Sequence, residues 1–204
     1  VCFDLGGVMV RVCMSWRDVL ERIGITPDDD LEHLIEDHRR DPQVHDLETG
    51  CIDAPTFCRR AAQQLRLEPG DIERALDVWL LGPYPGFDAV LERLSANGIA
   101  TACLSNTNPH HWAMMTGDGP NRLPLDAMRW RFASHTIGLM KPDPRIYEHV
   151  EQTTGIDPGA ILFFDDNAEN IVAARRRRWC AEPIDPNGDT AAQIRKCLQR
   201  YGLW

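Results

Sequence analysis

Apolar residues follow two rhythms along this chain. Short, mostly apolar runs occupy residues 1–5, 99–104, 132–136, 161–164 and 180–184. Runs of this length, bounded by turn residues, suit strands covered on both faces of a parallel sheet. Between them the period becomes helical. In residues 87–94, Phe87, Val90, Leu91 and Leu94 stand at i, i+3, i+4 and i+7, and Asn97-Gly98 supplies a C-terminal stop. The alternation predicts an α/β fold, a Rossmann-like doubly wound parallel sheet.

The interval between the first two strands is too long for one crossover helix. Residues 15–23, 29–39, 53–65 and 69–80 read as helices, with Ser15 and Asp53 as N-caps and Leu76, Trp79 and Leu80 on a buried face. An inserted helical cap is therefore expected over residues 14–84, with residues 1–13 and 85–204 forming the core domain. Trp16 and Trp79 are expected inside the cap's own core, since helical aromatic residues usually bury. His45 and Glu48, ahead of Gly50 in a cap loop, are candidates to read a substrate or to supply a proton.

Open α/β sheets bind ligands beyond the carboxyl ends of their strands. The polar residues at those ends are Asp4 with Gly6 and Gly7, then Ser105 to Asn108, then Lys141 to Asp143, then Asp165 to Asn167. Three carboxylates, a hydroxyl, an amide and an ammonium suit a hard cation together with a phosphate. Asp4, Asp165 and Asp166 carry three negative charges, which a magnesium ion and Lys141 would balance. Adjacent His110 and His111 lack the spacing of a shared metal site and read as a plain helical surface.

In order and wording these motifs resemble the haloacid dehalogenase superfamily, specifically its phosphatases with a helical cap after the first strand. The matching phrases are FDLGGV, LSNTN, KPDPRIYEHV and FFDDNAENI, and the resemblance covers almost the whole chain. It implies a Mg2+-dependent phosphatase working through an aspartyl-phosphate. Asp4 would be nucleophile and metal ligand, and the Gly6 carbonyl a further ligand. Asp166 would bind the metal directly, and Asp165 directly or through water. Ser105 and the Asn106 backbone would hold the phosphoryl oxygens, with Lys141 neutralising nucleophile and phosphate. Asn170 would orient the acidic loop, and Gly7 would keep the backbone clear of the phosphate. The wording is most similar to the α-glucose-1-phosphate phosphatase-like branch, which implies a small phosphorylated substrate such as a sugar phosphate. Two positions depart from the superfamily. Gly6 stands where most phosphatases of this kind carry a second Asp for acid–base work, and Arg178 stands near a frequent Gly. The same resemblance keeps two alternatives open, a hydrolytic dehalogenase and a catalytically weak phosphate-binding protein.

Composition narrows the function classes. Lys and Arg number 22 against 31 Asp and Glu, a net charge of −9 that repels nucleic acid. The run Arg175 to Arg178 spreads over a solvated helical face and receives no role. No stretch is apolar enough for a membrane span, and no obligate protein partner is implied. The seven cysteines are odd in number and lack a CxxC pair, which fits reduced thiols in a cytoplasmic protein. The chain opens with Val1 inside a strand, so a few leading residues are expected to precede it.

Overall fold

The computed structural model describes residues 1–26 and 41–204. Five parallel strands form the sheet: β1 (Cys2–Phe3), β4 (Ala102–Ser105), β5 (Trp130–Ala133), β6 (Leu162–Asp165) and β7 (Cys180–Pro183). Their order is β5-β4-β1-β6-β7. The chain thus builds outward from β1 to one edge, then returns to build the other side. That reversal places a crevice at the carboxyl end of β1, flanked by β4 and β6.

Successive strand residues face opposite sides, and two apolar layers result. Phe3, Cys103, Leu162 and Phe164 pack with helices Phe87–Ala96 and Thr190–Arg200. Cys2, Leu104, Phe163 and Ala181 pack on the other face with helices Pro144–Thr154 and Ala168–Arg176. The doubly wound architecture expected from the alternation is present.

Strand limits differ from the apolar runs. The run at 132–136 was expected to be a strand, but pairing covers Trp130–Ala133 and a helical turn, Ser134–Ile137, follows. β5 is an edge strand, so Arg131 in its first half is exposed and breaks the apolar run after the partly buried Trp130. Beyond it the Ser134 hydroxyl bonds both the amide and the carbonyl of Thr107, at 2.9 and 3.0 Å, in place of a ladder.

A second, two-stranded sheet was not foreseen. β2 (Val10–Val12) pairs antiparallel with β3 (Leu80–Pro83), where the reading had extended a helix to Leu80. Between these strands lie helices Trp16–Arg22, Pro42–Glu48, Ala54–Leu65 and Pro69–Val78. Ser15 and Asp53 cap two of them as expected, accepting from Asp18 N and Thr56 N. The expected helix at 29–39 lies outside the described residues. His45 and Glu48 sit on a helix, not in a loop; Asp41 at its N-cap and Pro42 in its first turn are the signals that mark it. Trp16 stacks on Phe57 at 6.2 Å and meets Trp79 edge-on at 5.2 Å, so both tryptophans pack as expected, although Trp79 also lines the cavity.

Candidate active site

The site begins where β1 stops. Asp4 N continues the ladder to Phe164 O at 2.8 Å, after which the Leu5 carbonyl accepts from Val8, Met9 and Val10 and coils the chain into a tight loop. Within that loop the Asp4 side chain turns back. Its Oδ1 accepts from Leu5 N at 2.7 Å and lies 2.8 Å from Lys141 Nζ, leaving Oδ2 as the carboxylate oxygen without such a tether among the described residues.

Lys141 is buried and lies between two carboxylates, with its ammonium also 2.7 Å from Asp165 Oδ2. Asp165 ends β6 and is fully enclosed. Its Oδ1 accepts from Asn167 N and Asn170 Nδ2, and its Oδ2 accepts from Lys141 Nζ and Asn170 Nδ2, at 2.7–3.1 Å. A carboxylate offers about four acceptor positions, so Asp165 is saturated by protein donors. Asp166 is only partly buried and lines the cavity, which Asp165 does not. Carboxylate oxygens of Asp4, Asp165 and Asp166 nonetheless converge within 4.8 Å of one another.

Electrostatics follow from this crowding. Burial raises the Asp4 pKa well above the usual carboxylate range; Lys141 opposes that shift, while Asp165 and Asp166 add to it. Burial alone would lower the Lys141 pKa, but Asp165 and Asp4 outweigh it and hold the ammonium protonated. Three carboxylates against one ammonium leave two negative charges, the deficit that a divalent cation makes good. Three converging carboxylate oxygens are also the hard donors that magnesium prefers, so the residues present fit that ion.

The two glycines divide the work. Gly7 has φ +71°, and a Cβ there would lie 2.7 Å from both Cγ and Oδ2 of Asp166. The sequence reading had this glycine clearing a path for phosphate; the space is taken instead by the Asp166 carboxyl. At Gly6 an added Cβ would meet only Val12, at 3.6 Å.

Ser105 ends β4 and, with Asn106, lines the cavity. The Asn106 side chain has a role the sequence did not reveal. Its Nδ2 donates to Lys141 O and its Oδ1 accepts from Lys141 N, each at 2.8 Å. Asn170 Nδ2 donates to both carboxylate oxygens of Asp165, while its Oδ1 is buried without a partner among the described residues.

His111 corrects the surface reading. It is buried, its Nε2 donates to Leu76 O at 3.0 Å, and its Nδ1 accepts from Asn108 Nδ2 at 3.0 Å. A carbonyl only accepts, so the ring is the neutral Nε2–H tautomer, and burial lowers its pKa to about 4. His110 reaches the same helix end through Asp77, at 2.9 Å. Adjacency in sequence argued against a shared metal, but it concealed a shared helix partner.

These groups surround a cavity of about 570 Å³. Its polar floor includes Asp4, Ser105, Lys141 and Asp166; Val12, Trp79, Leu80 and Met140 give an apolar wall, and His45 and Glu48 enter from helix Pro42–Glu48.

A family model described as haloacid dehalogenase-like hydrolase matches residues 1–176. Among curated proteins, the GMP/IMP nucleotidase YrfG of Escherichia coli is 27% identical over 94% of this chain and 85% of its own length. The (S)-2-haloacid dehalogenase H-109 of Pseudomonas putida is 31% identical over 47% of this chain, which spans 41% of that enzyme. Among solved structures, a HAD family enzyme from Bacteroides thetaiotaomicron in complex with magnesium and inorganic phosphate superposes with a TM-score of 0.74 at 20% identity, over 95% of this chain and 97% of that one.

Proposed function

Because the chain belongs to the haloacid dehalogenase-like hydrolase family, we propose that it is a magnesium-dependent phosphohydrolase of small phosphate esters, acting through an aspartyl-phosphate on Asp4. The observation that carries this reading is the convergence of Asp4, Asp165 and Asp166 beside Lys141. A halide-releasing site has no need of a carboxylate cluster that calls for a cation. The magnesium complex of the Bacteroides enzyme and the nucleotidase relative support the same choice.

Asp4 and Asp166, with the Gly6 carbonyl, would hold the ion, and Asp165, whose oxygens already carry Lys141, Asn167 and Asn170, would act beside it by holding the Lys141 ammonium. When bound, the ion supplies charge neutralisation for the nucleophile and the incoming phosphoryl group. The Ser105 hydroxyl and the Asn106 amide receive the phosphoryl oxygens. Lys141 opposes the effect of burial on Asp4 and favours its carboxylate form, and Asp4 Oδ2 attacks phosphorus. Water then cleaves the aspartyl-phosphate and frees phosphate.

Residues 14–84 act as the cap, with the β2–β3 ribbon as its stem, and close the cavity over a small substrate. A volume of about 570 Å³ accommodates a sugar phosphate or a nucleoside monophosphate and excludes a phosphoprotein. Seven free thiols suit a cytoplasmic setting.

Dehalogenation is the second reading, favoured by the bare Gly6, since expelling halide needs no proton donor. Purified protein assayed on both sugar phosphates and nucleoside monophosphates, and on 2-haloacids, with magnesium or with chelator, separates the two. Magnesium-dependent phosphate release that Asp4→Asn abolishes is expected. Chelator-insensitive halide release without phosphate release sinks the phosphatase reading.

A further inference from the structure

The segment assigned to the phosphoryl oxygens is fastened where the sheet gives out. Ser105 pairs with Ala133 at the last rung between β4 and β5. Past that rung the chain of β5 enters the helical turn Ser134–Ile137, and the backbone of Thr107 no longer faces a strand on that side. The Ser134 hydroxyl takes the strand's place, accepting from Thr107 N at 2.9 Å and donating to Thr107 O at 3.0 Å. His135 Nδ1 lies 3.1 Å from the same carbonyl, which can only accept, so the ring donates there as well. Ser134 is fully enclosed and Thr107 is buried, so water is poorly placed to replace these bonds.

The cap rests on the same turn. Gly50, just past helix Pro42–Glu48, has φ +72°, and an added Cβ would lie 2.5 Å from the His135 carbonyl oxygen. Only a residue without a side chain lets the two backbones approach so closely. The helix ahead of Gly50 brings His45 and Glu48 to the cavity, and Thr107 lines that cavity too. Ser134, His135 and Gly50 do not line it, so any effect they have on a ligand passes through their neighbours.

We propose that the Ser134–His135 turn couples the seating of the cap to the phosphate-binding loop, with Ser134 as the positioning residue; the inference rests on the phosphohydrolase reading above. The Ser134 hydroxyl fixes Thr107, and with it the adjoining Ser105 and Asn106, while the next carbonyl along receives Gly50. A loop set for phosphate presents the turn in the place that Gly50 fits, and a seated cap holds the loop in the place that phosphate fits. Such a linkage is reciprocal, so what phosphate gains from a seated cap, the cap gains from bound phosphate. The carboxylates of Asp4, Asp165 and Asp166 stand at the ends of β1 and β6, outside this path. Magnesium binding without phosphate is therefore independent of Ser134.

The test is calorimetric binding of inorganic phosphate in the presence of magnesium, for the unmodified protein, Ser134→Ala, Gly50→Ala and the double variant. The β2–β3 ribbon and the His111 bond to Leu76 O still join cap to core in each, so all are expected to fold. Each single variant is expected to bind phosphate about tenfold more weakly. The double variant is expected to bind within about twofold of Ser134→Ala, because the two losses share one path and do not add. Magnesium affinity measured without phosphate is expected to stay within about twofold in Ser134→Ala. Amide exchange supplies the reciprocal measurement: phosphate with magnesium should slow exchange at Gly50 and Cys51 in the unmodified protein and not in Ser134→Ala. Unchanged phosphate affinity in Ser134→Ala overturns the proposal, as do additive losses in the double variant or a magnesium affinity that falls as far as the phosphate affinity. If the unmodified protein binds no phosphate, the phosphohydrolase reading fails, and this inference with it.

Discussion

Asn106 grips Lys141 by both backbone groups, its amide Nδ2 on the carbonyl and its Oδ1 on the N–H, each at 2.8 Å. The two residues are 35 positions apart, and the pair fastens the end of β4 to the loop that carries the ammonium between Asp4 and Asp165. A side chain adjoining the proposed phosphate-binding hydroxyl thus fixes where the positive charge stands.

Asn106→Ala is expected to loosen that loop. Two partly buried hydrogen bonds are lost, about 1–3 kcal/mol of stability, and kcat falls by about 10–100-fold as Lys141 leaves its geometry. Asn106→Asp keeps the acceptor but loses the donor to Lys141 O, so it restores little. Urea unfolding and steady-state kinetics on the same preparations check both effects; a variant with normal kcat shows that Lys141 holds its place unaided.

The two adjacent aspartates should fail in different ways. Asp165→Ala strips a fully buried partner from Lys141 and is expected to destabilise the fold by about 3–5 kcal/mol. Asp166→Ala removes a carboxylate from the cavity wall and should leave the fold nearly intact while raising the magnesium concentration needed for half-maximal activity. Thermal unfolding with and without magnesium, beside a magnesium titration of activity, separates them. Equal loss of stability in both would contradict this division.

His111 makes stability depend on pH with a definite sign. Its folded pKa is about 4, below the unfolded value of about 6.5, so between those pH values the unfolded chain binds a proton that the folded chain refuses. Stability is therefore full above about pH 6.5 and falls as pH drops to about 4, by about 3 kcal/mol in all. Burial is the main cause; the Leu76 carbonyl and Asp77 raise the pKa, and His110 lowers it. His111→Gln should lose this dependence while the carboxylates keep theirs, so the difference between the two proteins in urea stability at pH 7 and pH 4.5 isolates it. Parallel pH profiles would show that the ring is not held neutral.

Much of this protein was legible before any coordinate. Strand-length apolar runs alternating with a 3.6-residue period determined the doubly wound sheet, because strands covered on both faces must be apolar throughout. The open-sheet rule then gathered Asp4, Ser105, Lys141, Asp165 and Asp166, and the fold brings all five to one crevice. These features depend on local pattern and chain order, which sequence carries directly. Tertiary structure decided the rest, because each remaining feature is a contact between residues whose distance in sequence hides their distance in space. The Asn106 grip on Lys141, the burial of His111 against Leu76, and the Asp166 carboxyl filling the space over Gly7 all cross elements. The β2–β3 ribbon pairs Val12 with Leu80, and the apolar residues 78–81 read equally well as the end of the preceding helix. Even the difference between Asp165 and Asp166 is invisible in two identical letters: one ends a buried strand and is surrounded by donors, while the next turns with the chain toward the cavity.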